Sequence, residues 1–346
     1  VTDTAMLDLR SDTVTKPTPA MRRAMAEAEV GDDVLDGDPT TRRLEQMVAE
    51  RLGKEAALFF PSGSMANQAA IWVQTTPGTE VLLDADAHIL QWEIAAVAGL
   101  CGVQVRPVRG AGSVFRAADL RAHVRAPSIH APEPSMVCLE NTHNGAGGAV
   151  TPLEALRELT AVARSINVPV HLDGARLWNA AAATGTSLAE FASCADTVMV
   201  SFSKGLGAPV GACLAGSADV ISRAHRARKR FGGGMRQSGI LAAAALHGLE
   251  HHLGRLTEDH EAARYLATLV DGAGGAKVVS PDTNIVMIDL PEPRADAVVA
   301  RAAELGVRIS KWHASRVRAV AHLDAPIGAI AAHAPKLRQA LAETLA

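Results

Sequence analysis

The chain has 346 residues, 48% hydrophobic and 21% charged, and its 34 Lys+Arg against 37 Asp+Glu leave a formal net charge of −3. These proportions exclude disorder and collagen-like repetition, and suit a soluble globular protein of about two domains at roughly 150 residues each. The near-neutral balance argues against a surface built to attract nucleic acid or anionic lipid, and no run approaches the ~18 apolar residues of a membrane-crossing helix.

Aromatic residues make up only 3%, with one tyrosine, Tyr265, so small and branched aliphatic side chains must fill the core. The opening VTDTAMLDLRSD lacks a basic stretch followed by an apolar one, so no secretory leader is expected. Cys101, Cys138, Cys194 and Cys213 are widely spaced and form no C-x-x-C pair, which points to buried free thiols in a reducing cytoplasm.

In chain order, short β-rich runs are expected at 56–60, 80–84, 103–108, 135–140, 168–173, 197–201 and 212–215. Helices at 64–75, 93–99 and 152–166 fall between them. Most of the runs are continuously apolar rather than alternating, as strands covered on both faces are. The alternation predicts an α/β fold with a large, doubly wound, mostly parallel sheet. After Gly232–Gly234 the pattern becomes alanine-rich helix to about residue 270. Strand-like stretches follow near 284–290, 307–309 and 317–322, and a helix over 326–345. The expected division is an N-terminal segment plus large domain over 1–250 and a smaller α+β domain over 251–346.

In an open α/β sheet, chemistry gathers at the carboxyl ends of the strands. Ser62-Gly63-Ser64 follows the first run and opens a helix, so its backbone amides suit either a phosphate or an ordinary cap. Asp173-Gly174-Ala175-Arg176 follows the run 168–173. The two charges could pair across a turn, or the carboxylate could hold a ring nitrogen protonated while the guanidinium faces an oxyanion. Ser203-Lys204-Gly205-Leu206-Gly207 follows 197–201. A lysine between a strand end and a Gly-rich loop is well placed for a Schiff base, because poor solvation lowers its pKa. The glycines there nearly spell a dinucleotide fingerprint, but the spacing is one residue too long and Pro209 interrupts it. His88 and His143 also follow strands and could reach a ligand in the same crevice. Together a phosphate cradle, an acid for a pyridine nitrogen, a Schiff-base lysine and a flat histidine are the parts required by pyridoxal 5'-phosphate, PLP.

At these residues the sequence resembles the L-threonine aldolases of the fold-type I PLP-dependent enzymes. The resemblance is carried by 8–18 (DLRSDTVTKPT), Val30-Gly31-Asp32-Asp33, 62–67, 140–144, 171–176, 203–209, 232–237 and 320–324. It implies that Lys204 holds PLP, that His88 stacks on the ring, and that Asp173 bonds the pyridine nitrogen and Arg176 the phenolic oxygen. It further implies that Gly63 and Ser64 bind the phosphate, that Ser203 contacts the cofactor, and that Lys229 and Arg236 reach the phosphate of a neighbouring subunit in a homo-oligomer, a dimer of dimers. Ser11 and Arg318 would bind the substrate carboxylate, with His143 near the β-hydroxyl. The implied reaction is retro-aldol cleavage of L-threonine, L-allo-threonine or a related β-hydroxy-α-amino acid to glycine and an aldehyde.

The sequence departs from the family pattern at Leu35, where a tyrosine is usual, and at the bulky Gln91-Trp92-Glu93-Ile94. The basic run 223–230 carries no interleaved aromatic residues suited to base stacking, so a solvated helix face ending in a phosphate ligand is expected rather than a nucleic-acid site. Two rival chemistries remain: a PLP-dependent β-eliminating lyase or transaldolase using the same residues, and, remotely, a metallopeptidase, since His247-Gly248-Leu249-Glu250-His251 spells H-x-x-E-H. No metal site is expected.

Overall fold

A computed structural model describes residues 6–110, 114–126 and 128–345; residues 1–5, part of the stretch read above for a leader, lie outside the described residues. The strands are β1 (Leu7–Asp8), β2 (Ala56–Phe60), β3 (Glu80–Asp84), β4 (Gln104–Val108), β5 (Pro134–Glu140), β6 (Val170–Gly174), β7 (Thr197–Ser201), β8 (Ala212–Gly216), β9 (Lys277–Val279), β10 (Ile285–Asp289), β11 (Val307–Arg308), β12 (Ser310–His313) and β13 (Arg316–Val320). Seven form one sheet in the order β2-β8-β7-β6-β5-β3-β4. The five strands from β4 to β7 are mutually parallel, and β8 runs antiparallel to both β7 and β2. β3, β6, β7 and β8 are buried along their whole length, which explains the unbroken apolar runs 81–83, 198–200 and 212–215.

The chain passes from β3 outward to β4 and returns on the other side of β3 to begin β5. That reversal is the switch point of a doubly wound sheet, where the connections diverge and leave a crevice. The segments carrying His88, Glu140 to Asn144, Asp173 and Lys204 all leave strand ends at this edge. β2 has the same direction as β7, because both are antiparallel to β8 between them. It therefore delivers the start of the helix Gly63–Gln74 to the same edge.

A second sheet is antiparallel, in the order β12-β13-β10-β9, while β1 pairs in parallel with β11. Leu7 and Leu9 are buried with Leu266, Val286, Ile288 and Leu337, so the N-terminal strand packs with the C-terminal body. The larger core, around Phe59, Leu139, Leu172, Val198 and Phe202, belongs to the seven-stranded sheet. No helix among the described residues is long and apolar enough to cross a membrane.

Several elements depart from the sequence reading. β1, β9 and β12 span only two, three and four residues, too short to show periodicity. The alanine-rich stretch divides into helices Gly239–His251 and Leu256–Val270. The helix expected over 93–99 is instead a single turn, His88–Gln91, and a separate helix, Ala96–Cys101. Between them Ile94 and Ala95 take left-handed backbone angles, φ 52° and 55°.

The loop bearing Lys204 is anchored where β7 meets β8, since Phe202 N–H donates to the Gly211 carbonyl at 3.0 Å. Gly211 has φ +112°, and a Cβ there would lie 2.6 Å from the Phe59 ring. Gly211→Ala combines left-handed strain with a core clash, and is expected to cost roughly 2–4 kcal/mol. A lowered urea midpoint with unchanged slope is the expected reading.

Candidate active site

Two adjoining cavities open at the switch-point edge. One, of about 230 Å³, is lined by residues that include Ser62, Gly63, Ser64, His88, Asp173, Ser203 and Lys204. The other, of about 170 Å³, is lined by Ser11, Thr13, His88, Trp92, Asn144, Arg176, Lys204, Trp312 and Arg318. His88 and Lys204 belong to both walls.

The first cavity has the fittings of an anion site at one end. Ser62 caps the helix Gly63–Gln74, its Oγ accepting the Met65 N–H at 3.2 Å, while its carbonyl accepts the Ala66 N–H. The amides of Gly63 and Ser64 have no protein acceptor among the described residues, so they and the helix dipole are available to a phosphate. A Cβ on residue 63 would come within 3.2 Å of Met199, so a glycine keeps that approach open.

At the other end, Asp173 is buried and held on both oxygens: Oδ1 accepts the Ala175 N–H at 3.1 Å and Oδ2 accepts Asn67 Nδ2 at 2.9 Å. Asn67 Nδ2 also donates to Glu93 Oε1 at 2.9 Å. Two carboxylates therefore fix this amide's orientation and turn its oxygen to His171 Nε2, at 3.0 Å. Burial pushes His171 down to about 4, so the ring is neutral. Nε2 then carries its proton, and Nδ1 accepts from Thr197 at 2.9 Å.

His88 is oriented by the same network. Its backbone N–H donates to Glu140 Oε2 at 2.7 Å, and its Nδ1 lies 3.0 Å from Glu93 Oε1. Glu93 itself is buried and takes a third hydrogen bond, from Gln68 Nε2 at 2.7 Å. Nδ1 must donate to the carboxylate, which leaves Nε2 as the free nitrogen. Burial would lower the His88 pKa, but the Glu93 hydrogen bond and the charges of Asp173 and Glu93 outweigh it, and the ring's pKa is raised. Lys204 is half-buried between the two cavities, and burial together with the neighbouring Arg176 lowers its amine's pKa.

In the second cavity Arg176 is clamped by Asp12, with Nε to Oδ2 at 2.8 Å and Nη2 to Oδ1 at 2.7 Å, and its Nη1 faces Asn144 Oδ1 at 3.4 Å. Burial opposes ionisation of Asp12, yet Arg176 holds its carboxyl well below the usual range. Arg318 Nη1 donates to the same Asn144 oxygen at 2.8 Å, and Nη2 to the Arg10 carbonyl at 3.1 Å. Burial and the Arg176 charge push Arg318 down to about 10. Its Nε is buried without a partner among the described residues. An under-satisfied guanidinium beside Arg176 and Lys204 calls for an anion.

His143 is not on either wall. It is fully buried, Nδ1 accepts the Ala146 N–H at 3.1 Å, and Nε2 faces Asp84 Oδ1 at 3.5 Å. Burial is outweighed by Glu140 and Asp84, which raise its pKa to about 8. The neighbouring Asn144 reaches the cavity in its place. Lys229 and Arg236 also lie away from both cavities; Arg236 is exposed and pairs with Asp32 at 3.1 Å. Leu35 is 74% exposed and lines neither cavity. In the H-x-x-E-H stretch, Glu250 is engaged by Arg43 at 2.5 Å. Among the described residues, the three-residue group within metal-ligand reach is His88, Glu93 and Asp173, outside that stretch.

Asp12, Asn67, Glu93 and Asn144 were not singled out as site residues by the sequence. Glu93 and Asn144 stand beside motifs that were, five residues after His88 and one after His143, but nothing in the sequence says their side chains turn inward.

The β-eliminating lyase family profile matches residues 8–293. The chain is 42% identical over 325 residues to a probable low-specificity L-threonine aldolase 2 of Arabidopsis thaliana, covering 91% of this chain and 92% of that one. It is 41% identical over 332 residues to a low specificity L-threonine aldolase of Escherichia coli K12, covering 95% and 98%. Among solved structures, a putative L-allo-threonine aldolase of Listeria monocytogenes superposes with a TM-score of 0.79 at 23% identity, covering 98% of this chain and 96% of that one. A threonine aldolase of Leishmania major gives 0.82 at 18%, covering 97% and 99%. These two are likenesses of fold.

The His88–Glu93 contact can be tested through the ring's titration. Glu93→Gln removes the carboxylate that favours the charged ring while burial still disfavours it. The His88 titration, followed by its ring Cε1–H resonance, is expected to move to lower pH.

Proposed function

The chain belongs to the β-eliminating lyase family, and from that footing we propose that it is a PLP-dependent aldolase, cleaving L-threonine or related β-hydroxy-α-amino acids to glycine and an aldehyde. The observation that carries this reading is the sharing of Lys204 between two cavities. One offers free helix-start amides and the Asp173 carboxylate, and the other offers Arg318 with a buried, unpartnered Nε.

The donor set fits PLP: Gly63, Ser64 and Ser203 suit its phosphate, Asp173 its pyridine nitrogen, Arg176 its phenolic oxygen, and Lys204 its aldehyde carbon. When bound, PLP supplies an electron-poor ring that accepts the electron pair released at Cα when the Cα–Cβ bond breaks.

The remaining work falls to the chain's own groups. Arg318 and Ser11 bind the substrate carboxylate, and Asn144 keeps the Arg318 guanidinium aimed before substrate arrives. The lowered pKa of Lys204 favours its neutral amine form relative to a solvated lysine. His88 Nε2, free because Glu93 holds Nδ1, accepts the β-hydroxyl proton directly or through a water. His143 serves this step as a positioning residue, bracing the loop that presents Asn144. Asp173, tied by Asn67 and the Ala175 amide, cannot turn away from the cavity.

Lys229 and Arg236 are assigned to a second copy of the chain, supplied across the interface of a dimer within a tetramer. The four buried free cysteines support a reducing compartment such as the cytoplasm.

Incubation of the PLP-loaded protein with L-threonine is expected to yield glycine and acetaldehyde in equal amounts; 2-oxobutyrate and ammonia instead would assign it to β-elimination. Lys204→Ala is expected to abolish turnover and the borohydride-reducible chromophore. His88→Phe keeps a flat ring but no proton acceptor, and is expected to lower kcat by roughly 10²–10⁴. In the unmodified protein His88 must be neutral to act, so turnover should rise with pH through the His88 pKa.

A further inference from the structure

We propose that Trp92 and Trp312 form an aromatic wall that selects β-hydroxy amino acids with a β-aryl side chain over L-threonine; the inference rests on the aldolase reading above. The chain has only four tryptophans. Trp178 donates its indole N–H to the Ser201 carbonyl at 2.9 Å, and Trp72 packs edge-on against Phe231, so both have structural contacts. The other two meet at the mouth of the 170 Å³ cavity, with ring centroids 5.4 Å apart and planes tilted by 40°.

They come from different parts of the fold. Trp92 closes the turn His88–Gln91, its backbone N–H donating to the His88 carbonyl at 2.9 Å. Trp312 lies on β12, beside the strand that carries Arg318. The Arg318 guanidinium sits 5.0 Å from the Trp312 ring centroid. That contact places the carboxylate-binding group and the aromatic wall on one piece of structure. A substrate held by its carboxylate at Arg318 and its amine at the Lys204 end leaves His88 and the two indoles as the wall available to its side chain.

The methyl group of threonine covers little of that wall. A phenyl group offers a face to two rings whose spacing already suits tilted packing. Trp92 is 52% exposed, so an aryl side chain can remove apolar surface from water there that no other described residue covers.

The experiment compares the PLP-loaded protein with its Trp92→Leu and Trp92→Phe variants. The substrates are L-threonine and L-phenylserine; the binding probes are L-alanine and L-phenylalanine, which lack the β-hydroxyl and cannot undergo aldol cleavage. Trp92→Leu is expected to lower kcat/KM for phenylserine and the calorimetric affinity for phenylalanine by roughly three- to tenfold, with threonine and alanine changed by less than about twofold. Trp92→Phe should restore most of the difference. Equal losses on both side-chain classes, or an unaltered preference in Trp92→Leu, would overturn the wall. Absence of glycine from either substrate would instead overturn the aldolase reading, and the phenylalanine-to-alanine affinity ratio would still judge the wall.

Discussion

The buried pair between Asp12 and Arg176 is the contact on which the site's geometry depends. Asp12 lies on the N-terminal segment and Arg176 follows β6, and Asn284, next to β10, adds a third tie by donating to Asp12 Oδ2 at 3.2 Å. N-terminal segment, large sheet and small sheet are thus joined through one carboxylate. Desolvating both charges is costly and offsets much of their attraction, so the pair is a weak stabiliser overall. Its effect is positional: either partner left alone would be an uncompensated buried charge, so the three parts of the fold cannot separate locally at little cost. With Nε and Nη2 committed to Asp12, Arg176 has only Nη1 left to face Asn144 and the cavity.

Around that pair three cations approach one another, with Asp12, Glu140 and Asp173 as the nearby anions. Arg176, Arg318 and Lys204 converge, whereas Asp12 is matched by Arg176 and Glu140 is occupied by the amides of His88 and Asn144. Lys204 responds by a lowered pKa and Arg318 by a fall to about 10. Burial is the larger cause of both shifts, and the Arg176 charge adds to it. The carboxamide of Asn144 is a neutral stand-in acceptor: it holds the guanidiniums in place without cancelling their charge, so an incoming carboxylate can displace it.

The large sheet was legible because parallel strands buried on both faces write themselves as apolar runs, and their mostly parallel direction followed from the α/β alternation. The residues after each strand end were legible for the same reason: the sheet fixes which edge they share. The inward-turned polar residues were not. Glu93 lies where the sequence suggested continuous helix, and the chain instead bends through two left-handed residues, Ile94 and Ala95, each costing about 1–2 kcal/mol. Three hydrogen bonds to the Glu93 carboxylate offset that strain, and their donors Asn67, Gln68 and His88 are separated from it by 26, 25 and 5 positions. No local pattern reports such convergence. His143 misled for the converse reason, because a polar residue after a strand can turn under its own loop as readily as into the crevice.

The scarcity of aromatic residues has a structural corollary. A core of alanine, valine and leucine lets elements lie close together, as in the helix Gly239–His251, which packs on the helices Pro19–Ala26 and Pro39–Leu52 and where Ala242, Ala243, Ala244 and Ala245 are all buried. Close packing of small side chains leaves few places for an indole inside. Trp178 finds one by satisfying its N–H on the Ser201 carbonyl, two residues before Ser203 and three before Lys204, and so stiffens the loop that carries the amine. The indoles of Trp92 and Trp312 stand instead where the backbone diverges, after a strand end and at the gap between the two sheets. The switch point makes that gap, and the Asp12–Arg176 pair holds its two sides at the separation the rings fill.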